Sequence, residues 1–319
     1  MKMFKHSGKI FGFVFACGLV PTSAFAETFL IDLTHPMGTF APSAEDPLEP
    51  DLSRPLGNSI AYPTFGKQTI YDGATYFPID RGQFYGGKII LHDHHGTHLD
   101  GPAHFLNTEE SKEAGNPKQK YLHELTADEL IGKAVVIDIS SRVAMELDKN
   151  GGIPSQDINV TDFSDDSNNV ITAADVDAVA DQIKDGVWVV ANTSWSQFYM
   201  DPDWATSPYF NNWNFPGFNN AAIDRLIEIE EERGVRINGI VVDNVGVDTG
   251  AASRGTGETW DGSWHSHVRG LQRNWKFVEN ATNLGEVVIA GGDCTIVVGA
   301  PKNVMGGGGP SRVFAMCEK

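Results

Sequence analysis

His92, Asp93, His94, His95, His98, Asp100 and His104 fall within thirteen positions and include five of the chain's ten histidines. A neutral imidazole nitrogen is the commonest metal ligand among side chains. His94, His98 and Asp100 offer two nitrogens and a carboxylate, and three protein ligands with one position open is the pattern of a catalytic ion. Gly96 permits the tight turn that would bring His94 and His98 to one ion. Thr97 is placed to support a ligand by a hydrogen bond. Pro102 stiffens the exit and holds His104 near the ion without making it a ligand. His92 and His95 read as neighbours of the site. A solvated, histidine-rich loop is the plainer alternative, but such tracts lack the Gly-Thr spacer and the Asp-x-Pro-x-His continuation seen here.

Tyr199, Trp204, Tyr209, Phe210, Trp213, Phe215 and Phe218 crowd one stretch, with Trp260 and Trp264 further on. Ordinary packing explains such a run as well as an aromatic wall for a flat substrate does, since ligand pockets are largely apolar. Gly306 to Gly309 is not a phosphate loop, because no Lys-Ser/Thr follows it. Ser253 lacks the surroundings of a nucleophile elbow.

The run His94-His95-Gly96-Thr97-His98-Leu99-Asp100-Gly101-Pro102-Ala103-His104 closely resembles the H-x-G-T-H-x-D-x-P-x-H signature of the cyclase-type metal hydrolases, a family that includes bacterial kynurenine formamidase and isatin hydrolase. Ile31-Asp32-Leu33-Thr34-His35-Pro36, Asn192-Thr193-Ser194-Trp195, Pro216-Gly217-Phe218, Gly246-Val247-Asp248-Thr249 and Gly309-Pro310-Ser311-Arg312-Val313 resemble further family segments in family order, with Ser194 where glycine is usual. The resemblance implies a swivelling β/β/α fold in one domain, forming a dimer or larger homo-oligomer. It implies that His94, His98 and Asp100 bind metal and that His104 carries the proton. A second ion would be held by His267 and Glu279, twelve residues apart, with His265 the competing choice; Asp100 would bridge the two. Zinc and manganese both suit nitrogen and oxygen ligands, as one ion or two. The implied reaction is hydrolysis of a small amide, formamide or lactam C–N bond by metal-activated water, on a small, aromatic substrate. A lactone hydrolase of the same fold and a non-catalytic periplasmic metal- or ligand-binding protein are the alternatives. The family's substrate-side Trp near the N-terminus is absent; Phe40 is the residue expected near its place, with Trp213 and Trp264 as further substrate contacts.

The elements that must position these residues read as a mixed α/β pattern. Strands are predicted at 28–33, 88–91, 135–139, 187–190 and 240–243 from short apolar runs. Thr126 heads one predicted helix. Thr172 caps another, running to about Lys184, and apolar spacing over 220–232 marks a third. Residues 265–281 suit a helix, and 287–290 pairs with 295–298 as a hairpin across Gly291-Gly292.

Lys2, Lys5 and Lys9, the apolar run Ile10–Val20 and Ala24-Phe25-Ala26 form an export signal over residues 1–26, leaving 27–319 as one mature domain. Loss of the three lysines moves the formal charge from −18 to −21. A surface that acidic disfavours nucleic acid as a partner. No later stretch is apolar enough to hold the chain in a membrane. The expected location is periplasmic or secreted. Cys294 and Cys317 remain after processing, enough for at most one disulfide. The exported protein should begin at Glu27, and intact mass of the periplasmic product checks this; a soluble mature form retaining residues 1–26 would refute it.

Overall fold

Val187-Trp188-Val189-Val190-Ala191-Asn192 is buried at every position, as expected of a parallel strand covered on both faces. It is the middle of a nine-stranded sheet. The computed structural model describes residues 27–36, 75–80, 85–90, 93–105, 119–199, 208–253, 264–291 and 293–318. The strands are β1 (Thr28–Asp32), β2 (Thr75–Asp80), β3 (Tyr85–Ile90), β4 (His98–Asp100), β5 (Ile131–Asp138), β6 (Val187–Asn192), β7 (Ile237–Val242), β8 (Lys276–Glu279), β9 (Cys294–Gly299), β10 (Gly308–Pro310) and β11 (Arg312–Glu318). The large sheet runs β1-β11-β9-β5-β6-β7-β8-β4-β10, and β2 pairs with β3 apart from it. Strands β5 to β8 are parallel neighbours, while β4 lies antiparallel between β8 and β10.

The helices are α1 (Ser140–Asp148), α2 (Ala173–Val179), α3 (Asn220–Arg233), α4 (Gly250–Ser253), α5 (His265–Leu271) and α6 (Leu284–Ile289). Strand alternation sends Val187, Val189 and Ala191 into one apolar cluster with Val176, Ile223 and Leu226. Trp188 and Val190 go into another with Ile31, Leu99, Val278 and Val287. A capping box starts α2, with the Asp175 carboxylate accepting from the Thr172 N–H at 2.9 Å. The Asn219 side chain caps α3, accepting from Ala222 N–H at 2.9 Å. Cys294 and Cys317 face each other across β9 and β11 and form a disulfide. No helix among the described residues is long and apolar enough to cross a membrane.

Three predicted elements are corrected. Thr126 caps only a single 3-10 turn, Ala127–Leu130, before β5 begins. Residues 265–281 are not one helix: α5 ends at Leu271, Asn274 turns with φ 61°, and Lys276-Phe277-Val278-Glu279 joins the sheet beside β7. Both faces of that tetrapeptide are buried, so sheet burial outweighs its helical spacing. Residues 287–289 belong to α6 and not to a hairpin; β9 pairs with β11 and β5. Helix α1 went unread.

Lys276 is buried, with its ammonium 5.8 Å from the Trp188 ring centre. Burial pulls its pKa down to about 7, helped by Arg236 and Lys120 and opposed by Glu129 and Glu230. The folded state therefore binds fewer protons than the unfolded chain between about pH 7 and the ordinary lysine value of 10.5. Stability from this group is complete above the unfolded value and is lost as pH falls to the folded one. Lys276→Met should flatten the rise in urea midpoint across that window and raise the midpoint at pH 6.

Candidate metal centre

Strand β4 places the centre. Side chains two apart in a strand share a face, so His98 and Asp100 point one way and Leu99 points into the core. Glu279 stands directly opposite His98 in the antiparallel register, on the same face. His94 arrives from the preceding turn, where Gly96 adopts φ 63°, a left-handed value that glycine takes without strain. His267 arrives from α5.

The donor atoms converge. His94 Nε2 and His98 Nε2 each lie 3.2 Å from Asp100 Oδ1. His267 Nε2 lies 3.4 Å from Asp100 Oδ2 and 3.4 Å from Glu279 Oε1, and His98 Nε2 is 3.6 Å from Glu279 Oε2. Asp100 is thus in the middle, one oxygen toward His94 and His98, the other toward His267. All five residues are buried. His104, partly buried, packs its ring at a 40° tilt against His94, 4.0 Å between ring centres, and its ligand atom groups with those of His94 and Asp100 within 4.8 Å. His95 is buried beside them. His265 bonds Asp224 at 3.0 Å and is not part of the group.

The three imidazoles that face Asp100 or Glu279 through Nε2 are held at Nδ1, each by a different acceptor. Asp93 holds His94 at 2.8 Å, the Gly96 carbonyl holds His98 at 2.9 Å, and Asp248 holds His267 at 2.5 Å. An acceptor at Nδ1 fixes the tautomer whose Nε2 lone pair can ligate an ion. Asp248 also accepts from the backbone N–H groups of Ser266 and His267, at 2.6 and 3.3 Å, so one carboxylate seats both helix and ring. Sequence reasoning gave neither Asp93 nor Asp248 a role; the Gly246-Val247-Asp248-Thr249 segment was the available signal. Thr97 does not bond a ligand. Its hydroxyl donates to the Asn280 carbonyl at 2.5 Å and accepts from His35 N–H at 2.9 Å, pinning the turn to the end of β8. Asn280 returns the bond, donating to the Gly96 carbonyl at 3.1 Å.

The electrostatics show a demand for positive charge. Burial opposes ionisation of Asp100, yet the imidazoles of His104, His98 and His94 around it hold its carboxyl well below the usual range. Burial likewise opposes a proton on His94, but Asp100 and Asp93 push it up to about 10. For His267 the carboxylates of Asp100, Asp248 and Glu279 overcome burial in the same sense. His104 moves the other way: burial and the neighbouring imidazoles His94, His267 and His98 outweigh Asp100 and pull its pKa well below the ordinary imidazole value. Both oxygens of Asp100 and Nε2 of His267 are buried without a hydrogen-bond partner. Such atoms normally carry one, and a divalent cation satisfies them together. The residues present therefore fit a metal.

Aromatic side chains flank His267. Its ring centre lies 5.2 Å from Phe105 and 5.2 Å from Trp264, and Trp213 lies 6.1 Å from Trp264. Trp213 and Trp264 have φ of 65° and 59°, and Asn211 and Asn212 are also left-handed. Bulky side chains rarely adopt this backbone. The Asn211 side chain holds the first turn by bonds to the carbonyls of Ser155 and Asn214, and Trp264 N–H bonds the Ala252 carbonyl. Phe40, Trp204, Trp260 and His92 lie outside the described residues.

A buried histidine–carboxylate centre at the rim of a mixed sheet is the arrangement of a metal-binding α/β protein. The chain belongs to the family described as Putative cyclase, whose model matches residues 31–249. No curated protein matches it. Its fold is similar to that of an isatin hydrolase bound to the product analogue thioisatinate, at 21% identity and TM-score 0.64, covering 92% of this chain and 94% of that one. Isatin hydrolase A from Ralstonia solanacearum aligns at 19% identity and TM-score 0.62, covering 91% and 92%. A predicted metal-dependent hydrolase from Bacillus stearothermophilus aligns at 15% and 0.51, covering 91% and 99%.

Asp100→Asn should abolish metal uptake measured by plasma mass spectrometry, because one oxygen toward each half of the centre is lost as a carboxylate. Asp248→Asn should weaken uptake by about 10–100-fold, the usual cost of losing the partner that orients a ligand.

Proposed function

We propose that this chain is a metal-dependent hydrolase that cleaves the C–N bond of a small amide, formamide or lactam carried on an aromatic ring. One observation carries the reading: Asp100 sits buried between His94, His98 and His267 with no hydrogen-bond donor on either carboxylate oxygen. His94, His98 and Asp100 would hold one cation, with His267 and Glu279 completing a second position across Asp100. A divalent zinc or manganese ion held there would supply polarisation of a carbonyl and acidification of water to a pKa of about 7.

The protein's own groups do the rest. His104 lies beside His94, with its ring centre 4.0 Å away and that of His267 at 6.1 Å, close enough to the centre to serve as its proton carrier. It takes that proton and returns it to the leaving nitrogen, and such transfer contributes about 10²–10⁴ in rate. Phe105, Trp264 and Trp213 supply the flat apolar side against which an aromatic ring stacks, by about 0.5–1.5 kcal/mol per good pair beyond burial. The left-handed backbone at both tryptophans supports this role, since strain of this kind concentrates at ligand sites. The solved neighbours that act on isatin are consistent with a lactam. The acidic chain would work outside the cytoplasm after processing, as a homo-oligomer.

The test is a panel of N-formylkynurenine, isatin and simple lactones with metal-loaded protein. Amide or lactam turnover is expected. Lactone cleavage alone would reassign the bond, and metal uptake without any turnover would make the chain a binding protein. His104→Asn should keep its metal and lose most of kcat; loss of metal would make His104 a ligand. Trp213→Ala should raise KM for aromatic substrates more than it lowers kcat.

A further inference from the structure

The tetraglycine run Gly306–Gly309 has no role in the reaction derived above. Two of its members lie in β10, which pairs with β4 so that Gly308 is opposite Asp100 and Gly309 opposite Leu99. Gly308 has no left-handed φ, so its backbone does not call for glycine. Its surroundings do. A Cβ at Gly308 would stand 2.4 Å from His94 Nε2, 2.7 Å from Cε1 and 2.9 Å from Cδ2. An atom that close to both flanking carbons lies over the Nε2 end of the ring, not out along the nitrogen lone pair. It would displace the imidazole itself.

The ring has little freedom to yield. Asp93 grips Nδ1 at 2.8 Å, the tilted His104 ring packs with its centre 4.0 Å away, and Nε2 must stay 3.2 Å from Asp100 Oδ1 to share an ion with it. The neighbouring glycines differ. A Cβ at Gly309 would strike Pro301, at 2.3 and 2.7 Å from ring carbons, away from the donors. One at Gly307 would sit 3.3 Å from the His104 Cα, which is tight but far less severe. The independent sign that a ligand belongs here is Asp100, wholly buried, with both oxygens unpartnered and one of them aimed at the same His94 nitrogen.

We propose that Gly308 is a positioning residue for the cation centre: its missing side chain is the space in which the His94 ring seats with Nε2 toward Asp100. This rests on the reading of His94 and Asp100 as cation ligands. Gly308 is then the close-packed wall of that half of the centre, reached from more than 200 positions along the chain.

The experiment titrates metal-free protein with zinc against a chromophoric chelator, for the wild type, Gly308→Ala, Gly309→Ala and His94→Ala, and measures the thermal midpoint of each metal-free form. Gly308→Ala should weaken one class of zinc site by about 10–100-fold, as loss of a ligand's support does, in the direction His94→Ala does. Gly309→Ala should lower the midpoint and leave zinc affinity unchanged. A cycle guards against simple misfolding: any stability cost of Gly308→Ala should vanish in the His94→Ala background, where the ring it strikes is gone. A cost that persists there, or zinc affinity in Gly308→Ala equal to wild type, overturns the proposal. A wild type that takes up no zinc or manganese at all overturns the metal reading beneath it.

Discussion

Asp100 is a wholly buried carboxylate, and neither of its oxygens is hydrogen-bonded. Burying an ion costs several kcal/mol unless opposite charge stands close by. Everything near Asp100 answers that demand. Imidazoles approach it from β4, from the turn before β4 and from α5, and Glu279 adds a second carboxylate that raises the need for cationic charge. Protons on His94 and His267 answer the demand in the metal-free chain, and a bound cation would answer it by displacing them. Metal affinity and pH are therefore linked at this centre.

Such a centre needs rings whose direction is fixed, and the fold fixes them by unlike means. A side-chain carboxylate from the same turn holds His94, a backbone carbonyl two residues back holds His98, and a carboxylate nineteen residues away holds His267. Strand β4 is only three residues long, but β8 and β10 clasp it on both edges. Thr97 and Asn280 tie its entry to the end of β8 through reciprocal bonds. The ligands thus ride on the sheet, and the loops only complete them.

The aromatic flank follows a different rule. Trp213 and Trp264 hold backbone conformations that cost roughly 1–2 kcal/mol per residue for L-amino acids. Hydrogen bonds from Asn211 and to Ala252 sustain them. The result sets Trp264 and Phe105 beside His267, with Trp213 packed against Trp264. Rigid aromatic surface next to a charged centre discriminates by shape, while the charge does the chemistry.

The cluster from His94 to His104 was legible in the amino-acid order because its geometry is local. A turn at Gly96 followed by a strand suffices to bring two histidines and a carboxylate to one face. The helices at 173–179 and 220–233 were legible for the same reason, through caps and apolar spacing. His267 and Glu279 were found by their separation but assigned to one helix; their meeting depends on a chain reversal at Asn274 and on β8 entering the sheet opposite His98. Local spacing cannot reveal that, because the burial that makes Lys276–Glu279 a strand comes from β7 and β4. Asp248 lies in a segment that resembles the family, but nothing in the sequence gave it a partner, and Gly308 was beyond sequence reasoning altogether. Their roles exist only across the packed interior, where a helix docks on a carboxylate and a strand edge presses on an imidazole. The sequence alone determined which atoms could hold a cation; the tertiary structure decided which of them meet, because burial and close packing are properties of the whole sheet.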